Sequence, residues 1–317
     1  MVTLSDIRDA RAAVAERIHR TPLLSSRSIG DRIGASFFLK AESLQRTGSF
    51  KVRGVFNRIR QLSPAQRRTG VIGWSAGNHA AALAYASQVE GIPCTVVMPE
   101  TAVQSKVDAC RSYGAEIVQH GVGMETYNRM QQLREERGLT LVHPFDDVEI
   151  IAGTGTIGLE ILDDLPDVDV VVVPVGGGGL IAGIATAIKA LRPATKVYAV
   201  EPEGAAGLTA ALREGRVVRL ERTQTIADGL AAPFTGDNAL AHIRAAVDDV
   251  VLVTDDDIAQ ALPYILERMK LLVEPAGAAA TAALLTKKIA VPPGARVVAI
   301  GSGGNVDMSR LQEILTR

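Results

Sequence analysis

VDVVVVPVGGGGL, residues 168–180, is the stretch that decides the fold of this chain. Its nearly continuous run of valine is typical of a strand that is buried on both faces of a parallel sheet. Gly176–Gly179 then turn the chain into Leu180–Leu191, which has the apolar pattern of a helix. Successive glycine N–H groups at the start of a helix form a site for an anion such as phosphate. The alternative to an anion site is that these glycines bind nothing and only permit close packing of the strand against the helix.

Two series of alternating strands and helices surround this stretch. Strands are predicted at Phe37–Lys40, Val71–Trp74, Cys94–Met98, Glu116–Gln119, Leu139–His143, Val168–Val175, Lys196–Val200, Val250–Val253 and Arg296–Ile300. An amphipathic helix is predicted at Leu4–His19, with Thr3 or Ser5 as its cap. Such alternation implies parallel sheets with helices on both faces.

We therefore expect an α/β protein with two doubly wound parallel-sheet lobes. A small lobe is expected over residues 64–146, and a large lobe over residues 1–63 and 147–317. The cleft between the lobes, at the carboxyl ends of the strands, is where a ligand should bind.

The composition argues against several classes of function. The net charge of −1 comes from 34 basic and 35 acidic residues without a long charged run, so neither nucleic acid nor a membrane is expected as a partner. The two cysteines, Cys94 and Cys110, lack the spacing of a zinc site. The sequence shows no apolar signal core and no apolar run of about 20 residues, which predicts a cytoplasmic protein.

The glycine turn also fits a second cofactor class. Gly177, Gly179 and Gly183 match a loose dinucleotide-binding turn, and Glu201 ends the next strand where a ribose-binding acid would lie. This segment alone does not separate a single phosphate from the pyrophosphate of NAD, so an NAD-dependent dehydrogenase is an alternative at this stage.

The second motif is the segment around Lys51, which reads Thr47-Gly48-Ser49-Phe50-Lys51-Val52-Arg53-Gly54. Most lysines are solvated surface charges, but Lys51 follows an aromatic residue at a predicted helix start. The helix dipole there disfavours an ammonium and lowers its pKa. An amine with a lowered pKa is suited to Schiff-base chemistry.

Two further loops lie at the ends of predicted strands. In Ser75-Ala76-Gly77-Asn78-His79, the N–H groups and side chains are suited to a carboxylate, although Ser75 or Asn78 would also serve as an ordinary helix cap. Gly301-Ser302-Gly303-Gly304-Asn305 follows the last strand and is a turn in its simplest interpretation. All four loops are expected at one cleft.

These motifs resemble those of the fold type II enzymes that use pyridoxal 5′-phosphate (PLP), in the branch of threonine dehydratases and serine racemases. The resemblance runs from Arg20-Thr21-Pro22-Leu23 to Gly303-Gly304-Asn305-Val306-Asp307, nearly the whole chain. It implies a fold like that of the tryptophan synthase β-subunit, and a homodimer.

The resemblance also implies roles for individual residues. Lys51 would hold PLP as a Schiff base and later move the α-proton of the substrate. The cofactor-binding residues would be Phe50 against the ring, Asn78 at the ring hydroxyl, Ser302 at the pyridine nitrogen, and Gly176, Gly177, Gly178 and Gly179 at the phosphate. The substrate carboxylate would meet Ser75, Gly77, Asn78 and His79.

The activity expected from this resemblance is that of an ammonia-lyase, which converts L-threonine or L-serine into a 2-oxo acid and ammonia. A serine racemase, or a lyase for another 3-hydroxy amino acid such as hydroxyaspartate, is the alternative. Ala76 replaces the second serine that racemases carry in this loop, and Ala232 lies where they offer a substrate-binding hydroxyl. Gly207 replaces an acid that joins Glu201 in holding a divalent cation, so Glu201 is a candidate metal ligand without its partner. A non-catalytic binding protein would leave the coincidence of these motifs unexplained.

Overall fold

The computed structural model describes residues 1–316. The strands of this part are β1 (Leu23–Ser25), β2 (Ser36–Ala41), β3 (Val71–Trp74), β4 (Cys94–Met98), β5 (Glu116–Gln119), β6 (Thr140–Leu141), β7 (Val170–Pro174), β8 (Lys196–Pro202), β9 (Asp249–Val253) and β10 (Arg296–Gly301). The helices are α1 (Leu4–Val14), α2 (Arg27–Ile33), α3 (Lys51–Arg60), α4 (Pro64–Thr69), α5 (Asn78–Glu90), α6 (Gln104–Ser112), α7 (Met124–Arg137), α8 (Val148–Asp164), α9 (Gly179–Leu191), α10 (Gly207–Glu214), α11 (Asp237–Ala246), α12 (Asp255–Tyr264), α13 (Pro275–Leu285) and α14 (Met308–Leu315).

The strands form two sheets, as the sequence predicts. The larger has the order β1-β2-β10-β7-β8-β9, and the smaller has the order β5-β4-β3-β6. All neighbouring strands are parallel except β1 and β2, which pair antiparallel at one edge. This differs from the purely parallel sheets predicted from the sequence, in which β1 was not recognised. The connection between β1 and β2 is shorter than the crossover of about a dozen residues that a parallel pair needs.

The valine-rich stretch forms β7 in the middle of the larger sheet, between β10 and β8. Val170 and Val172 face the layer that contains α12 and α13. Val171 and Val173 face the opposite layer, which contains α1, α8 and α9. Because both faces are covered, every position of β7 favours an apolar side chain, and the absence of alternation in the sequence follows.

Three predicted elements are shorter in the structure, and the first is the strand predicted at Val168–Val175, which spans Val170–Pro174. The N-terminal helix ends at Val14 rather than His19, and its cap is Thr3 rather than Ser5, because the Thr3 hydroxyl and the Asp6 carboxylate form a reciprocal capping box. The strand predicted at Leu139–His143 contains only Thr140 and Leu141, because only these two residues pair with β3.

Helix α8, which the sequence analysis did not identify, crosses the centre of the molecule. Its glycines look like helix breakers in the sequence, but they mark close approaches of other helices. A Cβ on Gly153 would lie 2.5 Å from the carbonyl oxygen of Arg53, and one on Gly158 would lie 2.9 Å from the Cβ of Ala187. The glycines therefore allow α8 to pack tightly against α3 and α9.

A buried ionic network fixes the start of α3 to the larger sheet. The guanidinium of Arg53 donates to Glu42 Oε2 at 2.8 Å and to Glu160 Oε1 at 2.7 Å, and Lys40 Nζ donates to Glu160 Oε2 at 2.6 Å. Two cations balance two anions, so no unpaired charge is buried. Lys51 lies two residues before Arg53, and this network therefore holds its backbone in place.

The four strands of the smaller sheet all lie between residues 71 and 141, inside the predicted small lobe. Helix α3 packs against α5 of this lobe and against α8. Because α3 contacts elements on both sides of the predicted division, these contacts do not define a boundary, and the boundaries at 63/64 and 146/147 remain predictions. Within residues 1–316, no helix has the length and apolar character needed to cross a membrane.

Candidate active site

The four loops singled out in the sequence meet at one cleft of about 1350 Å³ between the two sheets. Its walls include Phe50 and Lys51, the loop from Ser75 to His79, the four glycines Gly176–Gly179, and Ser302. The structure thus brings together every predicted cofactor- and substrate-binding residue. Ala232 also lines the cleft.

Lys51 lies at the start of α3 with part of its surface open to the cleft. Its Nζ donates a hydrogen bond of 2.7 Å to the carbonyl oxygen of Pro144. Burial lowers the pKa of Lys51 to about 8, although the charge of Glu274 acts in the opposite direction. A substantial fraction of the amine is therefore neutral in weakly alkaline solution, as a nucleophilic amine requires.

The four-glycine loop supplies main-chain donors. Within residues 1–316, no acceptor is found for the N–H groups of Gly176–Gly179, which precede and open α9. Unpaired N–H groups at a helix N-terminus are suited to an anion. Close packing also requires glycine here. A Cβ on Gly177 would overlap the Phe145 ring, and one on Gly179 would lie 2.5 Å from the Phe145 carbonyl oxygen. The glycines therefore meet both requirements.

The loop before α5 offers a second set of donors. The N–H groups of Asn78 and His79 begin the helix and have no acceptor within the described chain. The Ser75 hydroxyl accepts a hydrogen bond from the N–H of Gly77. Two loops, each at the end of a strand in a different sheet, thus present helix N-termini suited to anions to the same cleft.

The side chain of His79 has a different role from the one expected. Its Nε2 is 2.9 Å from the carbonyl oxygen of Val142 and donates to it, while Nδ1 is buried without a partner. Burial and the charge of Lys51 lower the pKa of His79 to about 3, so the ring is neutral. We therefore assign only the main chain of His79 to anion binding.

Ser302 is buried at the floor of the cleft, and its hydroxyl forms no hydrogen bond within residues 1–316. Its loop is joined to the lysine loop, because Phe50 N donates to Ser302 O at 3.2 Å and Gly304 N donates to Gly48 O at 2.9 Å. These two hydrogen bonds therefore fix the position of the Ser302 loop relative to the loop that carries Lys51.

Glu274 is a cleft residue that the sequence analysis missed. It immediately precedes α13 and accepts a hydrogen bond of 2.6 Å from the side-chain amide of Asn78. Burial raises the pKa of Glu274 to about 7, opposed by the hydrogen bond from Asn78. A single glutamate before a proline gives no local signal of such a contact, because its partner is 196 positions away in the sequence.

Glu201 lies outside the cleft and caps α10. Its carboxylate oxygens accept hydrogen bonds from the N–H groups of Leu208 and Thr209 and from the Thr209 hydroxyl. No cluster of three His, Cys, Asp or Glu side chains suited to a metal occurs in the described chain. A buried, hydrogen-bonded Glu201 is also unavailable to a ribose, which removes one of the two observations behind the dinucleotide alternative.

The comparison with known proteins agrees with this geometry. Residues 14–303 match the family described as pyridoxal-phosphate dependent enzyme. The chain belongs to this family. The match covers both sheets, three of the four cleft loops and the first three residues of the fourth.

Relatives of this pyridoxal-phosphate-dependent enzyme carry related activities. An L-threonine ammonia-lyase of Thermotoga maritima is 44% identical over 318 residues, spanning 100% of this chain and 79% of that protein. Threonine deaminase isoform 2 of Solanum lycopersicum superposes with a TM-score of 0.93 at 39% identity, covering 98% and 92% of the two chains. Maize serine racemase superposes with a TM-score of 0.94 at 38% identity, covering 99% and 97%.

The residues of the cleft fit the cofactor of the family. PLP carries one phosphate, one aldehyde and a pyridine ring with a hydroxyl group. The unpaired N–H groups of Gly176–Gly179 suit the phosphate, the buried amine of Lys51 suits the aldehyde, and the free Ser302 hydroxyl suits a ring nitrogen.

Proposed function

We propose that this enzyme is an ammonia-lyase that converts L-threonine, L-serine or both into the corresponding 2-oxo acid and ammonia. The observation that carries the proposal is the meeting of the Lys51 amine, two anion-binding helix N-termini and the Ser302 hydroxyl in one cleft. The full-length similarity to an L-threonine ammonia-lyase supports the choice of reaction.

The cofactor would be held by groups at opposite ends of the cleft. Gly176–Gly179 bind the phosphate through their N–H groups, Ser302 meets the pyridine nitrogen, Asn78 meets the ring hydroxyl, and Phe50 lies against the ring. Lys51 provides the covalent attachment. When bound, PLP withdraws electrons from the α-carbon of the attached amino acid and so weakens the bond to its α-proton.

The substrate would be oriented by the loop before α5. The N–H groups of Asn78 and His79, with Ser75 and Gly77, receive the carboxylate and so place the α-carbon beside Lys51. Lys51, freed from the cofactor, removes the α-proton as a general base. The lowered pKa of Lys51 favours this role, because a neutral amine is needed to accept the proton.

Ser302 favours elimination over slower alternatives. A hydroxyl, unlike a carboxylate, does not strongly stabilise a positive charge on the ring nitrogen. A cofactor held in this way would store negative charge at the α-carbon poorly, which would favour prompt loss of the β-hydroxyl, and Lys51 would return the α-proton to the departing hydroxide to form water. Hydrolysis of the resulting enamine yields the 2-oxo acid and ammonia.

Serine racemisation is the second candidate, because maize serine racemase superposes closely on the whole chain. Ala76 argues against it as the main activity. Racemisation needs a proton donor on the face of the α-carbon opposite Lys51, and the methyl group of Ala76 donates no proton.

We further infer a homodimer in the cytoplasm, with residues 64–146 as the small lobe. Leu44, Leu272 and Met308 are exposed apolar side chains that a second copy would cover. Cys94 and Cys110 are both buried and free, as is usual in a reducing compartment. Size-exclusion chromatography with light scattering tests the dimer, since a monomeric mass at micromolar concentration would contradict it.

The main test measures 2-oxo acid release from both enantiomers of serine, threonine and 3-hydroxyaspartate. We expect the highest kcat/KM with L-threonine or L-serine. A preference for 3-hydroxyaspartate, or release from none of the substrates, would contradict the proposal.

The variant Lys51→Ala tests the role of Lys51 in this reaction. Borohydride reduction of the wild type should bleach the visible absorbance and attach the cofactor to the peptide that contains Lys51. The variant should retain cofactor noncovalently through the glycine loop, lose it on denaturation after borohydride, and show at least about a thousand-fold lower kcat, because the general base is absent. Wild-type turnover by the variant would exclude Lys51 from catalysis.

A further inference from the structure

A chain of three side-chain hydrogen bonds crosses the cleft beside Lys51. Asn305 Nδ2 donates to the carbonyl oxygen of Thr47 at 2.7 Å and to Asn78 Oδ1 at 2.8 Å. Asn78 Nδ2 donates to Glu274 Oε1 at 2.6 Å. Thr47, Asn305 and Glu274 belong to the large lobe and Asn78 to the small lobe, so the chain joins the two lobes.

The direction of these bonds is fixed at one end. A main-chain carbonyl only accepts hydrogen bonds, so Asn305 must turn its amide nitrogen to Thr47, and the same nitrogen then donates to Asn78 Oδ1. Asn78 therefore turns its own nitrogen to Glu274. That nitrogen has a second hydrogen without a partner in the described chain, and Asn78 lines the cleft. Asn78 thus presents a donor, not an acceptor, to a ligand.

Glu274 lies in a closed environment. It is 8% exposed, and its Oε1 would lie 2.5 Å from a Cβ on Gly303. No basic side chain forms an ion pair with it within residues 1–316. The charged groups that face it are Lys51 on α3, Lys106 on α6 and Asp228 on the loop before α11. Burial raises the pKa of Glu274 to about 7, so its charge changes near neutral pH.

We propose that Glu274 is a positioning residue whose carboxylate orients Asn78 and strengthens its remaining N–H as a donor to the ring hydroxyl of PLP. This inference rests on the proposed function, which places Asn78 at that hydroxyl. A hydrogen bond to a carboxylate is roughly twice as strong as one to a neutral group, and it increases the polarity of the donor amide. Protonation of Glu274 removes this effect without removing the acceptor oxygen.

The pH dependence has a definite sign. The ionised form of Glu274 supports the cofactor, so its contribution to affinity is present above about pH 7 and is lost below it. Its effect on the stability of the cofactor-free protein is opposite. A carboxyl group with a raised pKa binds more protons when folded, so its contribution to stability falls as pH rises from its ordinary value through about 7. A purely structural role would not produce opposite trends.

The test compares wild type with Glu274→Gln, which keeps an acceptor oxygen of the same shape but does not ionise. Trp74 is the only tryptophan and lines the cleft, so its fluorescence reports binding of added PLP to the cofactor-depleted protein. The ratio of the two Kd values cancels the titration of the cofactor phosphate, which is the same in both experiments. We expect wild type to bind about five-fold tighter at pH 8.5 and nearly equally at pH 6. A constant ratio would overturn the proposal.

Two variants that leave Glu274 in place provide the second measurement. Asp228→Asn removes a like charge and should move the midpoint of the wild-type transition to lower pH. Lys106→Met removes an opposite charge and should move it to higher pH. A midpoint that moves in neither variant would refute the assignment to Glu274. Failure of the wild type to bind PLP or to release a 2-oxo acid would instead refute the proposed function, which keeps the two outcomes distinct.

Discussion

Single residues in the cleft decide which reaction follows removal of the α-proton. Lys51 supplies one amine, and its hydrogen bond to the Pro144 carbonyl places that amine on one side of the cleft. The loop before α5 carries Ala76 where racemases carry a serine, so this chain has no hydroxyl at that position. The β-hydroxyl of the substrate can leave without a second proton donor at the α-carbon, whereas inversion of configuration requires one.

We therefore expect elimination to exceed racemisation by a wide margin. With L-serine as substrate, pyruvate should form at least about ten times faster than D-serine, because Lys51 returns a proton only to the face from which it took it. The measurement follows pyruvate with a coupled assay and D-serine by chiral chromatography. Equal rates of pyruvate and D-serine formation would contradict this prediction and support assignment as a racemase.

Ala76→Ser is the converse variant. The added hydroxyl should increase D-serine formation while the visible absorbance of the bound cofactor stays the same, because the cofactor-binding residues are unchanged. Ala232→Ser, in another loop of the same cleft, is the matched control for an added hydroxyl. A larger rise in D-serine with Ala232→Ser than with Ala76→Ser would place the second proton donor elsewhere.

At the scale of elements, two helix N-termini face each other across the cleft. Helix α9 follows β7 of the larger sheet through the glycine loop, and α5 follows β3 of the smaller sheet through the Ser75–His79 loop. Each ends a strand–loop–helix unit, so the N–H groups point to the carboxyl edge of its sheet. One helix is thus suited to the cofactor phosphate and the other to the substrate carboxylate.

Gly178→Asp should weaken cofactor binding by at least about ten-fold, because it adds bulk and negative charge to an anion site. Gly178 has φ +89°, and its Cβ would lie 2.9 Å from Ala239, so any side chain also strains the loop. Gly178→Ala measures that strain without the charge. The Kd for PLP should increase in the order wild type, Gly178→Ala, Gly178→Asp.

Gly91→Asp provides the control for an aspartate at a left-handed glycine. Gly91 ends α5 with φ +63° and open space around it, at the opposite end of this helix from the Ser75–His79 loop. This variant should lower the melting temperature slightly and leave PLP affinity unchanged. Equal PLP affinity in Gly178→Asp and Gly91→Asp would remove the glycine loop from the phosphate site.

At the scale of the whole molecule, carboxylates join distant segments by accepting hydrogen bonds from main-chain N–H groups. Asp146 accepts hydrogen bonds from the N–H groups of Asp237, Asn238 and Ala239 and so ties the segment before α8 to the start of α11. Glu201 caps α10 in the same way, and Gly207 provides no second carboxylate for a cation shell. Both carboxylate oxygens of Glu201 thus already accept hydrogen bonds from the chain.

Chelation should therefore change the melting temperature by less than about 2 °C, which corresponds to under about 1 kcal/mol for a protein of this size. Melting curves and 2-oxo acid release are measured before and after treatment with EDTA. A large loss that Mg²⁺ or Ca²⁺ restores would show a cation site. Glu201→Gln then identifies the site, because a cation bound at Glu201 would make this variant insensitive to EDTA.

Features of the cleft that depend on local chemistry were predictable from the sequence. The valine run of β7, the Gly176–Gly179 turn and the Lys51 loop all carry their signal within a few residues, because burial on both faces and a helix N-terminus impose local patterns. The strands Val71–Trp74, Cys94–Met98 and Glu116–Gln119 are confirmed at the residues predicted. The order of the four cleft loops along the chain also indicated the enzyme family.

The tertiary structure alone decided the contacts that join distant segments. Asn78 and Glu274 are separated by 196 positions, and no periodicity or spacing connects them. The glycines of α8 are explained only by the helices that approach them, and Glu201 only by the helix that it caps. A sequence pattern records what a residue requires of its neighbours along the chain, whereas the partner of a buried polar group depends on how distant segments pack.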